Sequence, residues 1–326
     1  MLHISGKRQE QVNPSILVVM VESCKVMMSV GSLLFESGVA NALAQLASSR
    51  FAVLLRQYFP AAVLYAAYNN LMFLNLKNIS PTPFMLLRSS KLLMVAVVWQ
   101  RWFDTPISRT RIMSMVLICA GIIFNNLGKE PTASGSSAGD DDGGGNFQDI
   151  VNIMLVIVQM ACTVGASVYN ESCLKGTKRD ESIHLHNASL YLTSIAINFV
   201  LAYSRDPEAF ASPSSNSEAF TALSLSIVFF YSIGGIATSF VLKHVDSVSK
   251  DVTGALEMPI SAVISYFLFD IGITLRLVAS IFMVTSGTAI YAMDDRFSKR
   301  YLPPFFTVVK GDANIANHED NNKDQV

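Results

Sequence analysis

The sequence predicts an all-α membrane protein with about nine transmembrane helices, built as an inverted-topology repeat. Of its 326 residues, 51% are hydrophobic and only 15% are charged, whereas soluble proteins average about a quarter charged. A bilayer core needs roughly 20 mostly apolar residues per helix, and about nine runs of the chain meet that need. The two halves of the chain also resemble each other, which predicts the repeat.

Apolar runs lie on both sides of one polar stretch. They span 14–35, 52–76, 82–103, 107–127, 147–173, 186–204, 218–242, 250–269 and 272–293. Residues 129–146 are acidic and rich in Gly and Ser, which predicts a flexible linker. The linker divides one membrane domain into helical halves at 14–128 and 147–293, with a polar N-terminal segment at 1–13 and a polar cytosolic tail at 294–326.

A shift of 166 residues, without gaps, places the first half on the second. Identical residues then coincide at four places: Leu76–Lys77 with Leu242–Lys243, Asp104 with Asp270, Ile107 with Ile273, and Gly121 with Gly287. Since the second predicted helix falls on the seventh, the second copy has the opposite orientation in the membrane. Secondary transporters often contain such inverted repeats, with substrate sites near the midplane between them.

The distribution of Lys and Arg predicts which side of the membrane each connection faces. By the positive-inside rule, the connections richer in these residues face the cytosol, and this predicts a cytosolic C-terminus. With nine helices, the N-terminus then lies on the other side. The net charge of −1 offers no basic footprint for nucleic acid.

Charged side chains inside apolar runs indicate function. Lys91 lies about ten residues into the third run, roughly 15 Å deep, and Arg88 shares its helix face three residues earlier. Two cations that face one cavity suit a dianionic group such as a diphosphate. The alternative is that they pair with membrane carboxylates such as Glu22 or Glu257.

Two further charged residues belong to the eighth run. Lys250 opens it, where the amides and positive dipole of a helix N-terminus favour a phosphate; an ordinary positive-inside residue is the alternative. Glu257 lies two turns deeper, just before Pro259, whose ring predicts a bend. Because Glu257 corresponds to Lys91 in the repeat, we expect these two side chains to neutralise each other. A proton-coupling acid is the alternative.

Polar residues on the first two apolar runs are the remaining candidates for functional residues. Glu22 and Lys25 are one turn apart, which predicts a self-neutralising structural pair, with a coupling or gating pair as the alternative. Asn69 and Asn70 need partners in lipid, so they either join helices by hydrogen bonds or read a base or ribose. Tyr65 either stacks on a base or has a structural role.

The chain carries no recognisable catalytic or metal motif. It has no P-loop or HExxH sequence, and its four cysteines form no CxxC pair. We therefore expect neither enzyme activity nor a cofactor or metal. Two glycosylation sequons, at Asn78 and Asn187, are expected to stay unmodified because of their predicted positions.

Several stretches resemble one family of membrane carriers. YAAYNNLMFLNLKNI, which starts at Tyr65, resembles the YAxxNNLxFxALxNL signature of nucleotide-sugar transporters for CMP-sialic acid, UDP-galactose and UDP-N-acetylglucosamine. VVMVESCKVMMS is similar to the family's ExxK helix, FMLLRSSK to YQxxYQLK, and LKHVDSVSK to VKYADNxxK. ICAGIIF, ASVYNESCLKG and HNASLY resemble the CAG, GVYxExxLKG and QNxxLY motifs, so the likeness covers most of the chain.

The resemblance implies a ten-helix fold of the drug/metabolite transporter type, here without the family's first helix. It implies exchange of cytosolic nucleotide sugar for luminal nucleoside monophosphate in the Golgi membrane, with the endoplasmic reticulum as the alternative location. Lys91 and Lys250 would hold the phosphates, and the region of Asn69 and Asn70 would read the ribose and base. Asn187, on the QNxxLY-like stretch, joins the substrate-binding candidates, and a homodimer is a further expectation.

This chain departs from the family's motifs at several positions. Met85 and Ser89 replace both glutamines of YQxxYQLK, and Arg88 stands at its second Tyr. Phe230 and Tyr231 replace an Asn-Gln pair. The nucleobase and sugar therefore stay open. The alternatives to the nucleotide-sugar prediction are a transporter of the same fold for another metabolite and a non-transporting membrane scaffold or regulator.

Overall fold

The computed structural model describes residues 14–79, 81–127, 145–176, 181–205, 221–269 and 274–301. Within these ranges the chain is helical and contains no strand, which confirms the all-α prediction. Twelve helices, α1 to α12 in chain order, span Pro14–Ser37, Val39–Leu46, Ser49–Asn78, Pro81–Ser89, Lys91–Phe103, Arg109–Asn126, Gly145–Lys175, Ile183–Arg205, Ala222–His244, Ser247–Gly254, Glu257–Phe269 and Leu275–Tyr301. The predicted N-terminal segment and most of the predicted linker and tail lie outside the described residues.

Five of the described helices are long and apolar enough to cross a membrane, judged by length and composition. These spans are Ile16–Ser37, Ile150–Lys175, Ile183–Ser204, Ser224–His244 and Leu275–Asp294. Each falls on one of the predicted runs, in agreement with a multi-pass membrane protein. The count of nine stays a prediction, because α3 and α6 are not among the five and two other runs are broken.

Each broken run corresponds to two helices. The run predicted at 82–103 is divided into α4 and α5, which meet at Ser90. The run predicted at 250–269 is divided between α10 and α11, which meet at residues 255–256. The expectation of one continuous helix was wrong in both places.

Pro259 supplies a cause for the second break. It has no backbone N–H to donate to the carbonyl of Ala255, four residues earlier, and its ring crowds that carbonyl. The amide of Met258 donates to the Ala255 carbonyl instead, at 3.3 Å. The bend expected near Pro259 therefore lies one turn before it.

The helix boundaries of the two halves coincide under the 166-residue shift. α5 spans 91–103 and α11 spans 257–269; α3 ends at residue 78 and α9 at residue 244; α6 begins at residue 109 and α12 at residue 275. The broken runs also correspond, since α10 begins at residue 247 and α4 at residue 81. The two halves thus share their local secondary structure, while their opposite orientation in a membrane stays a prediction.

Two repeat-related glycines lie where α6 crosses α12. A Cβ atom on Gly121 would lie 3.0 Å from Cγ2 of Val284, and one on Gly287 would lie 2.7 Å from Cγ1 of Ile118. The 166-residue shift converts the first contact into the second, so the crossing is reciprocal, like the interface around a two-fold axis. Small residues allow helix backbones to approach this closely in membrane proteins.

Two apolar cores flank the centre of the bundle. One joins α1, α3 and α8 around Leu54, Tyr58 and Tyr191. The other joins α5, α6, α7, α10 and α12 around Val95 and Ile118. α3 and α7 pack along each other between these cores, and α7 also packs against α5 and α10, the helices that carry Lys91, Lys250 and Asp251.

Polar contacts gather several helix ends at one end of the bundle. Nε of Arg50, at the start of α3, lies 2.7 Å from Oε1 of Glu181, just before α8. Nζ of Lys175, at the end of α7, donates to the carbonyl of Val245, just after α9, at 2.6 Å. The positive-inside rule places Arg50 and Lys175 on the same side, and the assignment of that side to the cytosol stays a prediction.

Candidate functional site

Two lysines from different halves of the chain meet at one carboxylate. Nζ of Lys91 lies 3.1 Å from Oδ1 of Asp251, and Nζ of Lys250 lies 3.6 Å from the same oxygen. Nζ of Lys250 also donates to Oγ of Ser167 at 2.6 Å. We call Lys91, Lys250 and Asp251 the lysine–aspartate cluster. Its three side chains are 24%, 20% and 10% exposed, respectively.

The helix breaks position this cluster. Lys91 is the first residue of α5, directly after the break at Ser90. Lys250 and Asp251 lie inside α10, a helix of only eight residues. Both lysines therefore come from the repeat-related broken runs, and they share a counter-ion that sequence reasoning did not single out. The only signal for Asp251 was an acidic residue beside Lys250 in an apolar run.

Aromatic and polar side chains from α3 and α7 line the same region. Tyr65 lies beside the side chains of Ser167 and Asn170. Tyr68, one turn along α3, lies close enough to Lys91 to interact with its charge. The predicted site residues Tyr65, Lys91 and Lys250 therefore come together through Ser167 and Asp251, although they lie far apart in sequence.

A second carboxylate, Glu171, fastens the helices that carry the cluster. It is fully buried and accepts hydrogen bonds from the amide of Ser247 at 2.8 Å, from Nε1 of Trp99 at 3.0 Å and from Nζ of Lys175 at 2.6 Å. The hydroxyl of Ser247 donates to the same carboxylate. A buried charge needs such complete pairing, and this one joins α7 to α5 and to the start of α10. Sequence reasoning missed its role.

The prediction that Lys250 opens a helix with free amides was wrong. α10 begins at Ser247, and Asp246 caps it by accepting from the amide of Ser249 at 2.5 Å. Glu171 accepts from the amide of Ser247, and the amide of Lys250 donates to the carbonyl of Asp246 at 3.1 Å. Carboxylates and the backbone thus already accept from three of the amides at this helix N-terminus, those of Ser247, Ser249 and Lys250.

The predicted partners of Lys91 also differ from the structure. Glu257 is exposed at the start of α11, and Lys91 forms an ion pair with Asp251 instead. The helix break at residues 255–256 separates Glu257 from the α10 residues that reach the lysine. Arg88 is exposed at the end of α4, whereas Lys91 is half-buried, so the two cations do not share one environment as expected.

Glu22 and Lys25 form an ion pair on α1. Nζ of Lys25 lies 2.7 Å from Oε1 of Glu22 and 5.1 Å from the centre of the Tyr191 ring. A Cβ atom on Gly235 would lie 2.6 Å from Cε of Lys25, so the glycine makes room for the lysine between α1 and α9. The contact agrees with a self-neutralising pair that packs the bundle.

The three predicted asparagines have different surroundings. Nδ2 of Asn70 donates to the carbonyl of Ala66 on its own helix, at 2.7 Å, so this bond does not join two helices. Asn69 is half-buried. Asn187 is buried, and its Nδ2 has no hydrogen-bond partner within the part of the chain that the structure describes. A role for them in binding a ligand stays a prediction.

The lysine–aspartate cluster has the chemistry of an anion site. An ammonium group has three N–H donors, and each lysine uses only some of them in the contacts above. Two cations against one carboxylate leave one positive charge in excess, which suits a phosphate. Among the described residues, no group of three or more His, Cys, Asp or Glu side chains is placed to hold a metal ion.

Comparison with known proteins relates the chain to carriers of nucleotide sugars. The family model described as nucleotide-sugar transporter matches residues 3–292. The chain is 28% identical to the UDP-galactose transporter senju of Drosophila melanogaster over 260 residues, which are 72% of this chain and 66% of that protein, just under two thirds. It is 24% identical to CMP-sialic acid transporter 1 of Oryza sativa subsp. japonica over 246 residues, 73% of each chain. It is also 24% identical to the UDP-N-acetylglucosamine transporter of Rattus norvegicus over 243 residues, 74% of this chain and 72% of that one. These relatives are transporters rather than enzymes.

Proposed function

Because the chain belongs to the nucleotide-sugar transporter family, we propose that it exchanges cytosolic nucleotide sugar for luminal nucleoside monophosphate by alternating access. The membrane we propose is that of the Golgi, with a cytosolic C-terminus. Its relatives are named as transporters of UDP-galactose, CMP-sialic acid and UDP-N-acetylglucosamine, so these are the first substrates to test.

The observation that carries this proposal is the meeting of two lysines at one carboxylate oxygen. Lys91 and Lys250 approach Oδ1 of Asp251 to 3.1 and 3.6 Å, so an anion that took the place of that oxygen would contact both ammonium groups. Charged groups inside a membrane bundle are costly, so their presence indicates a function. We assign the phosphates of the substrate to Lys91 and Lys250.

The nucleoside would lie toward α3 and α7. Tyr65 and Tyr68 offer aromatic rings and hydroxyls next to the lysine–aspartate cluster, and Asn69 lies on the same helix. The nucleotide sugar and the nucleoside monophosphate both contain a phosphate and a nucleoside. A single site with two lysines for the phosphate and aromatic side chains for the nucleoside would therefore accept either ligand in turn. The exposed Arg88 is left outside this proposed site.

The correspondence between the two halves supports alternating access. The helix boundaries coincide under the 166-residue shift, and the crossing of α6 and α12 is reciprocal. In inverted-repeat transporters, one repeat rocks against the other around a central substrate site, which opens the site to each side of the membrane in turn. We propose that the broken helices carrying Lys91 and Lys250 move relative to each other in this way.

Exchange in reconstituted vesicles tests the function. Purified protein in liposomes preloaded with UMP, CMP or GMP should accelerate the uptake of labelled UDP-galactose, UDP-N-acetylglucosamine or CMP-sialic acid. Lys91→Ala and Lys250→Ala should each abolish most of this uptake. Arg101→Ala is the matched control, since it removes an exposed cation from the other end of α5 and should leave exchange near the wild-type rate.

The outcomes separate the proposal from its alternatives. If no monophosphate drives uptake of any of the three nucleotide sugars, and none raises the melting temperature, the proposed activity is refuted. The replacement of two motif glutamines by Met85 and Ser89 favours a carrier of another phosphorylated metabolite as the second candidate. Exchange of such a metabolite that is lost with Lys91→Ala would identify that activity.

A further inference from the structure

We propose that Asp251 is the resident counter-ion of the two lysines, which it neutralises in part in the empty carrier and releases to the phosphate of the substrate. This inference rests on the proposed function. It assigns Asp251 as a residue that positions Lys91 and Lys250 and sets how tightly they hold an anion. It also predicts a property of transport, namely how readily the carrier without a bound ligand changes back to the conformation that faces the other side of the membrane.

The contacts of Asp251 suit a side chain that a bound anion can displace from the two lysines. Both lysines approach the same oxygen, Oδ1, while the second oxygen, Oδ2, is buried and has no hydrogen-bond partner among the described residues. A buried carboxylate oxygen without a donor is unfavourable. A phosphate offers several oxygens and more negative charge, so it would engage the two ammonium groups separately and more strongly.

Glu171 provides an internal comparison. Both of its oxygens accept hydrogen bonds, from Trp99 and Ser247 among others, and its side chain is fully buried. Asp251 lies on the neighbouring helix and remains partly exposed, with one oxygen unpaired. The first carboxylate therefore has the contacts of a structural anchor, and the second has those of a group that can give up its partners.

A bound phosphate and Asp251 would repel each other. Like charges placed side by side at a binding site are strongly unfavourable. The carboxylate must therefore withdraw from the lysines when the anion binds, and the affinity for the anion is lower than the two lysines alone would give. Removal of the charge of Asp251 should strengthen binding of a nucleoside monophosphate.

The same charge affects the return of the empty carrier. Without Asp251, an empty site would carry two uncompensated positive charges through the membrane interior, where unpaired charges are costly. With Asp251, only one positive charge remains in excess. The wild-type carrier should therefore return empty at a measurable rate, and a variant without this carboxylate should depend more strictly on a counter-substrate.

The test compares wild type with Asp251→Asn, Asp251→Glu and a matched control, Asp104→Asn, which removes an exposed carboxylate at the end of α5. Two quantities are measured in purified, reconstituted protein. The first is the Kd for UMP, CMP and GMP. The second is the uptake of UDP-galactose, UDP-N-acetylglucosamine and CMP-sialic acid into empty vesicles, divided by the uptake into preloaded vesicles.

In Asp251→Asn, the Kd of the bound monophosphate should fall about tenfold, equivalent to about 1.4 kcal/mol, and the ratio of empty to preloaded uptake should also fall. Asp104→Asn should keep the wild-type values, whereas Asp251→Glu, which retains the negative charge on a longer side chain, should not show this fall in Kd. Loss of a purely structural contact would weaken binding instead, so an unchanged or raised Kd, or an unchanged ratio, overturns the inference.

Two further outcomes are also decisive. If Asp251→Asn and Asp251→Ser both fail to fold while Asp251→Glu folds, then Asp251 is a structural partner of the lysines and the inference is wrong. If the wild type itself neither binds a monophosphate nor exchanges it, the proposed function fails. Exchange by the wild type with no effect of Asp251→Asn refutes only the counter-ion role.

Discussion

The reciprocal crossing of α6 and α12 allows a quantitative test of the fold. In Gly287→Ala, the new Cβ atom would lie 2.7 Å from Cγ1 of Ile118 and 3.0 Å from the carbonyl oxygen of Ser114. In Gly121→Ala, it would lie 2.9 Å from Cβ of Met283. Real Cβ atoms do not approach their neighbours this closely, so the two helices must move apart.

The expected loss of stability follows from two opposing effects. Overpacking of a well-packed contact costs about 1–3 kcal/mol, while Ala in place of Gly stabilises a helix interior by about 0.5–1 kcal/mol. Each variant should therefore lose about 1–2 kcal/mol of its free energy of unfolding. Gly287→Ala should lose more than Gly121→Ala, because its new Cβ atom would come closer both to its nearest neighbour, at 2.7 against 2.9 Å, and to a backbone carbonyl oxygen, at 3.0 against 3.2 Å.

The assay follows thermal unfolding of detergent-purified protein with a thiol-reactive dye, which reports exposure of the buried Cys119 and Cys173. Gly234→Ala is the matched control, because a Cβ atom there would meet no atom within 4 Å and should raise the melting temperature slightly. If Gly287→Ala and Gly121→Ala melt as high as Gly234→Ala, the close, reciprocal crossing is wrong.

Three other predictions address charged groups. Glu171→Gln should destabilise the protein by about 1–3 kcal/mol, because the amide nitrogen of Gln cannot accept the hydrogen bonds that a carboxylate oxygen accepts, which leaves a buried donor such as the amide of Ser247 unpaired; thermal unfolding measures the loss. Lys91→Ala should abolish most exchange without a comparable fall in melting temperature, because the lysine is half-buried and its aspartate reaches a second lysine; transport in vesicles and thermal unfolding of the same preparation check both. The hydrogen bond from Arg50 holds the pKa of Glu181 below its usual value of 4.5, so the stability from this pair is present above that pH and is lost as the pH falls through the lowered pKa. Melting temperatures of wild type and Glu181→Gln should therefore converge on acidification, and a constant difference would contradict the pairing.

Local sequence patterns predicted the secondary structure but not its interruptions. Long apolar runs correctly predicted α1, α7, α8, α9 and α12, because a membrane helix needs a continuous apolar length that is visible in a window of sequence. The break at Ser90 has no comparable local signal. The break at residues 255–256 had one in Pro259, which was interpreted as a bend within a continuous helix.

Candidate cations were recognised from sequence, whereas their partners were not. Lys91 and Lys250 stand out because charge is rare in apolar runs. Glu257 was expected to pair with Lys91 from its position in the repeat, but Asp251 makes that contact. Sequence position could not decide between two acidic residues six positions apart, because the helix between them is broken.

Composition, periodicity and local motifs were enough to predict the helical membrane class, the internal repeat at 166 residues and the family. Which charges meet depends instead on how the helices pack. Ion pairs such as Lys91 with Asp251 join residues 160 positions apart, and their geometry depends on where each helix ends and how it packs. A contact of a few ångströms between distant helices is a property of packing, so it cannot be read from either run alone.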